Sequence, residues 1–207
     1  FCIFMNVVHK LFRKYFKNQY VRVFAGGVML VLLNIILNTT DYNGTGMNII
    51  AQALNGEAKP TAFLLKALFT AITIGCGFRG GEIVPSFFVG ATFGCAMGGL
   101  MGLDPGFAAA LGMVCFFCGV VNCPLTSLFL SIELFGAHGI LLFTIGCAVS
   151  YMLSGYYSLY NEQKIIYSKL RPHYVNLYTN QEIKTKEPGF LEGLIRIRED
   201  DSDDIEE

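Results

Sequence analysis

Long apolar runs alternate with short polar or glycine-rich breaks along most of this 207-residue chain. The run at 21–37 is the clearest and predicts a membrane helix, in which Gly26 and Gly27 permit close packing. Residues 3–19 mix apolar positions with Lys and Arg, a pattern that predicts an interfacial or cytoplasmic helix leading into the bilayer. Together the apolar runs predict helices at 3–19, 21–37, 46–54, 62–76, from the glycines at 77–81 to about 103, 105–121, 124–134, 140–153 and 158–170.

Several helix ends are predicted from capping residues. Asp104 followed by Pro105 starts a helix in a standard way, because the carboxylate accepts from free N–H groups and Pro fits the first helical position. Thr61 is expected to cap the helix at 62–76. The polar and proline residues at 122–124 are expected to interrupt the chain before the next helix.

Several of the predicted helices are shorter than the roughly 20 residues of a straight membrane span. Tilted, broken or re-entrant helices of this kind are tolerated only where protein or a cavity satisfies their loose backbone ends. The pattern is typical of transporters whose discontinuous helices meet near the membrane midplane. Lys66 lies inside one of these apolar helices, so it needs a polar partner or an exit to water. Among the short segments are those at 62–76, 107–121, 124–134 and 140–153.

Charge is rare in this chain and strongly clustered. Charged residues make up 15% of the chain and hydrophobic residues 53%, so the middle is predicted to be a membrane domain. Only Lys59, Lys66 and Arg79 are basic between positions 23 and 163. Basic residues at both ends of the apolar part predict that both ends are cytoplasmic. The net charge of −1 and the lack of a basic-aromatic array argue against a nucleic-acid partner.

The two ends of the chain differ in character. Residues 172–207 are predicted to form a cytoplasmic acidic tail that is largely disordered, since seven of the residues at 199–207 are acidic. The chain begins at Phe1 with an apolar stretch that no basic region precedes. We interpret this start as a fragment cut within a helix rather than as a signal peptide.

A glycine-rich loop at 77–81 leads into the helix that ends near Leu103. Glycines let backbone N–H groups crowd around a small object, and the helix N-terminus adds free N–H donors and a partial positive charge. This combination binds anions without a cationic side chain. Because apolar runs flank the loop, it is predicted to lie at membrane depth, which indicates an anion permeation site.

Glu82 stands at the end of this loop, and three roles are open for it. Its carboxylate could stabilise the helix N-terminus or pair with Arg79, it could serve proton coupling or ion selectivity, or it could be an exposed loop residue. An ionised carboxylate beside an anion costs free energy. We therefore hypothesise that Glu82 is protonated or points away when the anion is bound, and that it titrates during the transport cycle.

Seven cysteines are scattered through or beside the apolar runs. Cys115 and Cys118 have CxxC spacing, but there is no second pair and the three histidines are distant in sequence. Packing between helices is therefore predicted rather than a zinc site. GxSxG and HExxH motifs are also missing from the sequence. The sequence therefore predicts that the protein is not an enzyme and that it has no metal or cofactor site.

Three motifs, in order along the chain, carry a family resemblance. They are GGEIVP at 80–85, PLT at 124–126 followed by Glu133, and SGYYSLY at 154–160. With the apolar segments between them, they resemble the CLC family of chloride channels and proton/anion antiporters over about residues 1–171. Glu133 lies in an apolar helix, where it either has a function or pairs structurally at a subunit interface or the cytoplasmic end.

The resemblance implies an all-α integral membrane fold. Family members contain two inverted repeats per subunit and one pore in each subunit of a homodimer. This chain resembles the second inverted repeat, with broken and tilted helices, followed by the terminal helix at 158–170. The first repeat, which supplies the gating glutamate in the family, has no counterpart in these residues.

The resemblance also implies which residues bind the anion. The backbone amides of Glu82 and Ile83 would donate from one wall of the pathway, and the Tyr160 hydroxyl from the opposite side. Neutral donors hold a dehydrated halide and still release it quickly, as conduction requires. Tyr167 is a second candidate for the anion-binding tyrosine of the family. Tyr160 could instead be a residue of the aromatic belt at the membrane interface. The implied anion-binding residues are Gly80, Gly81, Glu82, Ile83, Val84 and Tyr160.

Glu82 separates this chain from most chloride members of the family, which have an apolar residue at this position. The stretch is closer to the fluoride-exporting branch, in which an acidic residue stands here. That branch commonly has Thr two residues later, whereas this chain has Val84. The resemblance therefore points near the fluoride branch with one departure from its pattern.

The sequence thus predicts anion transport across a membrane, as a voltage-gated-type chloride channel or as a proton-coupled chloride or fluoride antiporter. The predicted partners are chloride or fluoride, protons, membrane lipid and a second copy of the chain in a homodimer. The alternative is a non-transporting membrane scaffold or a decayed half-transporter. The residues leave open the choice between channel and antiporter and between fluoride and chloride.

Overall fold

A computed structural model of the chain describes residues 1–160, 162–169 and 174–180. Within these residues the chain folds into helices followed by one small antiparallel hairpin. The elements are α1 (Cys2–Tyr15), α2 (Gln19–Leu37), α3 (Met47–Leu54), α4 (Ala62–Gly75), α5 (Ile83–Met101), α6 (Pro105–Val121), α7 (Pro124–Phe135), α8 (Ile140–Leu153), β1 (Lys164–Tyr167) and β2 (Tyr174–Tyr178).

The first eight predicted helices are confirmed, with ends close to those predicted. The start of α6 follows its local signal, because the Asp104 Oδ2 accepts from the Phe107 N–H at 2.8 Å and Pro105 is the first helical residue. The same helix ends at Asn122, which adopts the left-handed conformation at φ 58°. The prediction for Thr61 was wrong, because its side chain makes no capping hydrogen bond at the start of α4.

The predicted terminal helix at 158–170 is wrong, so the fold of the described residues is mostly helical rather than all-α. Strand β1 pairs antiparallel with β2, and the register joins Lys164 to Tyr178 and Ile165 to Leu177. Consecutive isoleucines and a tyrosine suit a strand, since β-branched and aromatic residues fit a pleated, half-buried surface. Ile165 is buried while its neighbours in β1 are exposed, so only one face of the strand is covered.

The hairpin also crosses the predicted boundary between the membrane domain and the tail. Strand β2 lies within 172–207, the segment predicted to be a largely disordered tail, and its pairing with β1 gives that part of the tail a fixed structure. The remaining tail from 181 to 207 lies outside the described residues. A search for single helices does not detect the partner strand of a hairpin, and the boundary between the membrane domain and the tail stays a prediction.

Helices α5 and α6 pack closely through small residues. A Cβ atom built on Gly94 would lie 2.3 Å from the carbonyl oxygen of Ala108, and one built on Gly112 would lie 2.6 Å from that of Gly90. Small residues at such spacing let helix backbones approach directly. Gly90 contacts Gly112 and Gly94 contacts Ala108, so the order of the contacts is reversed along the two helices and they run antiparallel. This pair carries the glycine loop at one of its ends.

Two of the described helices, α2 and α5, are long and apolar enough to cross a membrane, judged by length and composition. They differ in environment, because α2 shows most of its surface to the outside and α5 is largely packed inside the protein. Phe24 and Ile36 are among the exposed large side chains of α2. An outward apolar helix beside a buried apolar helix is the arrangement that a lipid environment allows.

Lys66 has the polar partners that its position in α4 requires. Its Nζ donates to the carbonyl oxygens of Tyr42 at 3.0 Å and Gly44 at 2.6 Å, both in the loop between α2 and α3. The prediction that this lysine needs a partner is therefore confirmed. The acceptors are backbone groups far away in sequence, which no local pattern identifies.

Candidate anion-binding site

The glycine loop connects the end of α4 to the start of α5 by a sharp change of direction. Gly77 has φ 98°, a conformation that residues with a side chain rarely adopt. A Cβ atom on Gly77 would lie 3.3 Å from Nη2 of Arg22. The loop therefore needs glycine at this position for its backbone conformation, and a side chain there would also press on the arginine.

Arg22 of α2 lies beside the glycine loop although it is more than 50 residues away in sequence. Its Nε donates to the carbonyl oxygen of Cys76 at 3.2 Å, just after α4 ends. A cation at a helix C-terminus interacts favourably with the partial negative charge there. The sequence shows only a basic residue near the start of an apolar run, and its contact with position 76 depends on how α2 packs against α4.

The backbone N–H groups at the start of α5 are free of protein partners. Within the described residues, none of the amides from 80 to 84 donates a hydrogen bond. Pro85 has no N–H, and the carbonyl of Glu82 accepts from the Ser86 N–H at 3.1 Å. Gly80 and Gly81 are exposed, and no atom lies within 4 Å of a Cβ built on either. The loop therefore presents a run of unpaired donors with open space around it.

The side chain of Glu82 is half-buried and does not cap its helix. Glu82 forms no ion pair with Arg79. The ion pair among the described residues joins Lys59 to Asp41, at 3.3 Å. Pairing with Arg79 is therefore absent among the described residues, whereas Glu82 does stand at the N-cap position of α5, where its charge can still interact with the helix dipole. The partial burial also argues against a simple exposed loop position.

Tyr160 follows α8 in an irregular segment that is fastened to the end of α6. The Leu159 N–H and the Ser158 hydroxyl both donate to the carbonyl of Val120, at 2.9 and 3.2 Å. Nε2 of Gln163 donates to the carbonyl of Val121 at 3.0 Å. The Tyr160 side chain is 46% exposed, and its hydroxyl has no hydrogen-bond partner within the described residues. A side chain with a free hydroxyl is thus held on an anchored backbone.

An apolar cluster joins the tyrosine segment to the first turns of α5. Its buried members include Phe117, Val120 and Val121 of α6, and both Phe87 and Leu159 pack against it. The rings of Phe87 and Phe117 lie 5.1 Å apart. The structure therefore brings the Tyr160 segment and the N-terminus of α5 to the same end of the α5–α6 pair. Tyr167, the other candidate for the anion-binding tyrosine, lies in strand β1.

Comparison with known proteins decides the family. The model of the family described as voltage gated chloride channel matches residues 1–155. The chain belongs to this family, the CLC family. Its members are integral membrane transporters and not enzymes.

Individual relatives place this CLC chain near the fluoride branch of the family. It is 34% identical over 176 residues to the chloride/fluoride channel protein of Pseudomonas syringae pv. tomato, which covers 81% of this chain and 39% of the relative. It is 29% identical over 120 residues to the H(+)/Cl(−) exchange transporter ClcA of Vibrio vulnificus, with 53% of this chain and 25% of the relative covered.

A solved structure supports the same assignment. The crystal structure of a CLC-type fluoride/proton antiporter resembles this chain with a TM-score of 0.71 and 31% sequence identity, and the match covers 74% of this chain and 39% of that one. The predicted resemblance to the CLC family near its fluoride branch is therefore confirmed. The chain spans about two-fifths of the length of this structure and of the Pseudomonas relative.

Glu133, part of the second CLC motif, lies apart from the candidate site. It is exposed in α7, and it takes part in no ion pair within the described residues. Leu125 and Phe129 of the same helix are also exposed. Among the described side chains Glu133 thus has no ion-pair partner within the chain that would support a structural pairing role.

Lys169 fastens the terminal hairpin of this CLC chain to the ends of two helices. Its Nζ donates to Oδ1 of Asn122, which follows α6, and to Oγ of Ser154, which follows α8, the latter at 2.7 Å. The ring of Tyr151 lies 4.4 Å from the same nitrogen. Burial lowers the pKa of Lys169 to about 8. The lysine thus links the hairpin to the part of α6 that also holds the Tyr160 segment.

The hairpin attachment should become more stable as pH rises from about 8 to 10.5. In that window the unfolded chain keeps the Lys169 proton and the folded chain has lost it, because the folded pKa of about 8 lies below the usual 10.5. The gain is at most about 3 kcal/mol by the size of the shift, and roughly 1–2 kcal/mol after allowance for partial exposure. Thermal unfolding at pH 7.5 and 9.5 measures it.

Two variants separate this effect from other titrations. Lys169→Met should remove the rise in stability, whereas Lys164→Met, which changes an exposed lysine of the same hairpin, should keep it. An equal rise in wild type and Lys169→Met would contradict the prediction.

Proposed function

We propose that the full-length protein containing this chain transports chloride or fluoride across a membrane, coupled to protons. The observation that carries the proposal is the run of unpaired backbone amides from 80 to 84 at the open start of α5. Free amides at a helix N-terminus bind anions. The names of the relatives, a chloride/fluoride channel protein and H(+)/Cl(−) exchange transporters, support the same activity.

In this proposal the anion lies between the α5 amides and the Tyr160 hydroxyl. The free hydroxyl and the shared apolar cluster with Phe87 support a role for Tyr160 in the site. Glu82 would carry the proton or set the selectivity, since its half-buried carboxyl group stands beside the free amides without an ion-pair partner among the described residues. The proposed anion-binding residues are Gly80, Gly81, Glu82, Ile83, Val84 and Tyr160.

The remaining architecture is proposed by similarity to the family. The described chain forms the second inverted repeat of a CLC subunit, both its ends are cytoplasmic, and the first repeat completes the pathway in the full-length protein. Two such subunits form a homodimer in lipid. The exposed apolar side chains of α7 and α8, among them Phe129 and Leu141, provide surface for a second subunit or for lipid.

Anion flux from liposomes containing the full-length protein tests the function. Fluoride and chloride efflux should be compared with and without a proton gradient. We expect anion efflux that a proton gradient drives, with fluoride favoured because of the acidic residue at position 82. If neither anion leaves the liposomes under any condition, the protein is a non-transporting scaffold or a decayed half-transporter and the proposal is wrong.

Removing the Tyr160 hydroxyl should weaken the site without unfolding the protein. Tyr160→Phe deletes one hydrogen bond to the bound anion and leaves the anchored backbone unchanged, so we expect roughly a tenfold loss of anion affinity. Tyr167→Phe, in the exposed part of strand β1, is the matched control and should bind as the wild type does. The reverse order of effects would assign the role to Tyr167.

A further inference from the structure

Lys66 is a fully buried cation without a carboxylate partner among the described residues. It is 1% exposed, and its Nζ is held by the carbonyl oxygens of Tyr42 and Gly44. Carbonyl dipoles stabilise an ammonium but do not neutralise its charge. Burying such a charge is costly unless it is paired, and an ionisable residue inside a membrane domain marks a functional site by default.

The buried ammonium also contacts the helix that carries the candidate anion site. Nζ of Lys66 lies 5.0 Å from the centre of the Phe88 ring, and Phe88 is itself fully buried in α5. The ring of Tyr42 packs against Phe88 with the ring centres 6.3 Å apart. Phe88 follows Glu82 by six residues, which is about 9 Å along the helix axis. The charge therefore lies in apolar surroundings within a few turns of the free amides.

A fixed positive charge at this place attracts an anion at the start of α5. The apolar side chains between them screen the interaction less than water does. The 5.0 Å from the Lys66 Nζ to the Phe88 ring and the roughly 9 Å of helix between Phe88 and Glu82 put the charge within about 14 Å of the amides. At an effective dielectric constant of about 20, opposite unit charges at that distance attract each other enough to raise affinity close to tenfold. The free amides are neutral donors, so a nearby fixed cation adds the long-range attraction that they lack.

We propose that Lys66 is an affinity-determining residue of the anion site, acting through its charge and not by contact with the anion. The inference rests on the proposed function, because it presumes an anion at the α5 N-terminus. The competing explanation is that Lys66 only ties the α2–α3 loop to α4 through its hydrogen bonds. The two explanations predict different anion affinities when Lys66 is replaced by a neutral side chain that still donates hydrogen bonds.

Fluoride and chloride binding to the detergent-solubilised full-length protein, measured by calorimetry, tests the proposal. Lys66→Met removes charge and hydrogen bonds, Lys66→Gln removes the charge but keeps N–H donors, and Lys66→Arg keeps the charge. We expect about tenfold weaker binding for the Met and Gln variants and wild-type binding for Arg. Lys59→Met, which neutralises a 70% exposed lysine near the same loop, is the control and should bind normally.

Each result of these measurements decides between the explanations. Wild-type affinity in Lys66→Gln with loss in Lys66→Met would overturn the proposal in favour of a tether. Wild-type affinity in both neutral variants would overturn it as well. If the wild type itself binds no anion, the proposed function fails, which is a separate result.

A second measurement serves if neither neutral variant folds. Arginine keeps its charge at alkaline pH values at which lysine loses its own. Anion affinity should therefore fall more steeply with rising pH in the wild type than in Lys66→Arg. Asp41 and Tyr42, the ionisable side chains of the loop that holds Lys66, are present in both proteins, so a difference between the two pH profiles reports the residue at position 66. Identical pH profiles would overturn the proposal.

Discussion

Glu82→Gln is expected to abolish the pH dependence of anion binding between pH 4.5 and 8 and to uncouple anion flux from protons. The carboxyl group is half-buried at the start of α5 and has no hydrogen-bond or ion-pair partner within the described residues. An ionised carboxylate about 5 Å from an anion repels it by about 3 kcal/mol at an effective dielectric constant of 20. Wild-type affinity should therefore fall, by up to roughly 100-fold, as rising pH removes the proton.

The variant reverses this behaviour in a measurable way. Glutamine resembles the protonated carboxyl group in shape and cannot ionise, so its anion affinity should stay constant from pH 4.5 to 8 and exceed that of the wild type at the upper end. Calorimetry gives the affinities, and proton uptake by liposomes during anion efflux gives the coupling. Glu133→Gln, a neutralised glutamate exposed in α7, is the control and should keep both the pH dependence and the coupling.

The same measurements show when Glu82 has no such role. Unchanged proton coupling in Glu82→Gln would mean that another group carries the proton. A flat pH profile in the wild type would mean that the carboxyl group stays turned away from the anion or keeps one protonation state. Either result would leave Glu82 as a residue that shapes selectivity only.

The helices could be predicted because their ends are encoded by neighbouring residues. Asp104 and Pro105 define the start of α6 without reference to the rest of the chain. The run of free amides from 80 to 84 follows from the same local rule, since the first N–H groups of any helix lack partners within it. The core of the candidate site was therefore visible in the sequence.

The terminal hairpin was missed because strands depend on pairing between distant segments. Ile165 and Ile166 form a short apolar run that fits a helix or a strand equally well. Its partner strand at 174–178 lies beyond Pro172, where the sequence suggested that structure ended. The pairing of Ile165 with Leu177 decides between the two, and no local pattern contains that information.

The electrostatic surroundings of the site could not be predicted for a similar reason. Lys66 was recognised as needing a partner, but its acceptors at Tyr42 and Gly44 are more than 20 residues away. Arg22 belongs in sequence to the basic N-terminal end, and the packing of α2 places it beside Gly77. The neutral donors follow from the sequence, whereas the contacts of Lys66 with Phe88 and of Arg22 with Cys76 follow only from the fold.

Gly94→Ala is expected to separate helices α5 and α6 and to destabilise the whole described helical domain. A Cβ atom at this position would lie 2.3 Å from the backbone oxygen of Ala108, a distance that no rotamer change can relieve. Overpacking of this kind costs about 1–3 kcal/mol or more when backbone has to move. The temperature at which half of the solubilised protein remains monodisperse should therefore fall by several degrees.

The same helix provides a matched control for this substitution. Gly99 is exposed in α5, and no atom lies within 4 Å of a Cβ built on it, so Gly99→Ala should be neutral or stabilise the helix by up to about 1 kcal/mol. A difference between the two variants then reports helix contact rather than helix propensity. Because the α5–α6 pair holds both the glycine loop and the segment of Tyr160, Gly94→Ala should also weaken anion binding, whereas Gly99→Ala should not. Equal stability of the two variants would show that α5 and α6 do not approach as closely in the membrane as Gly94 and Gly112 require.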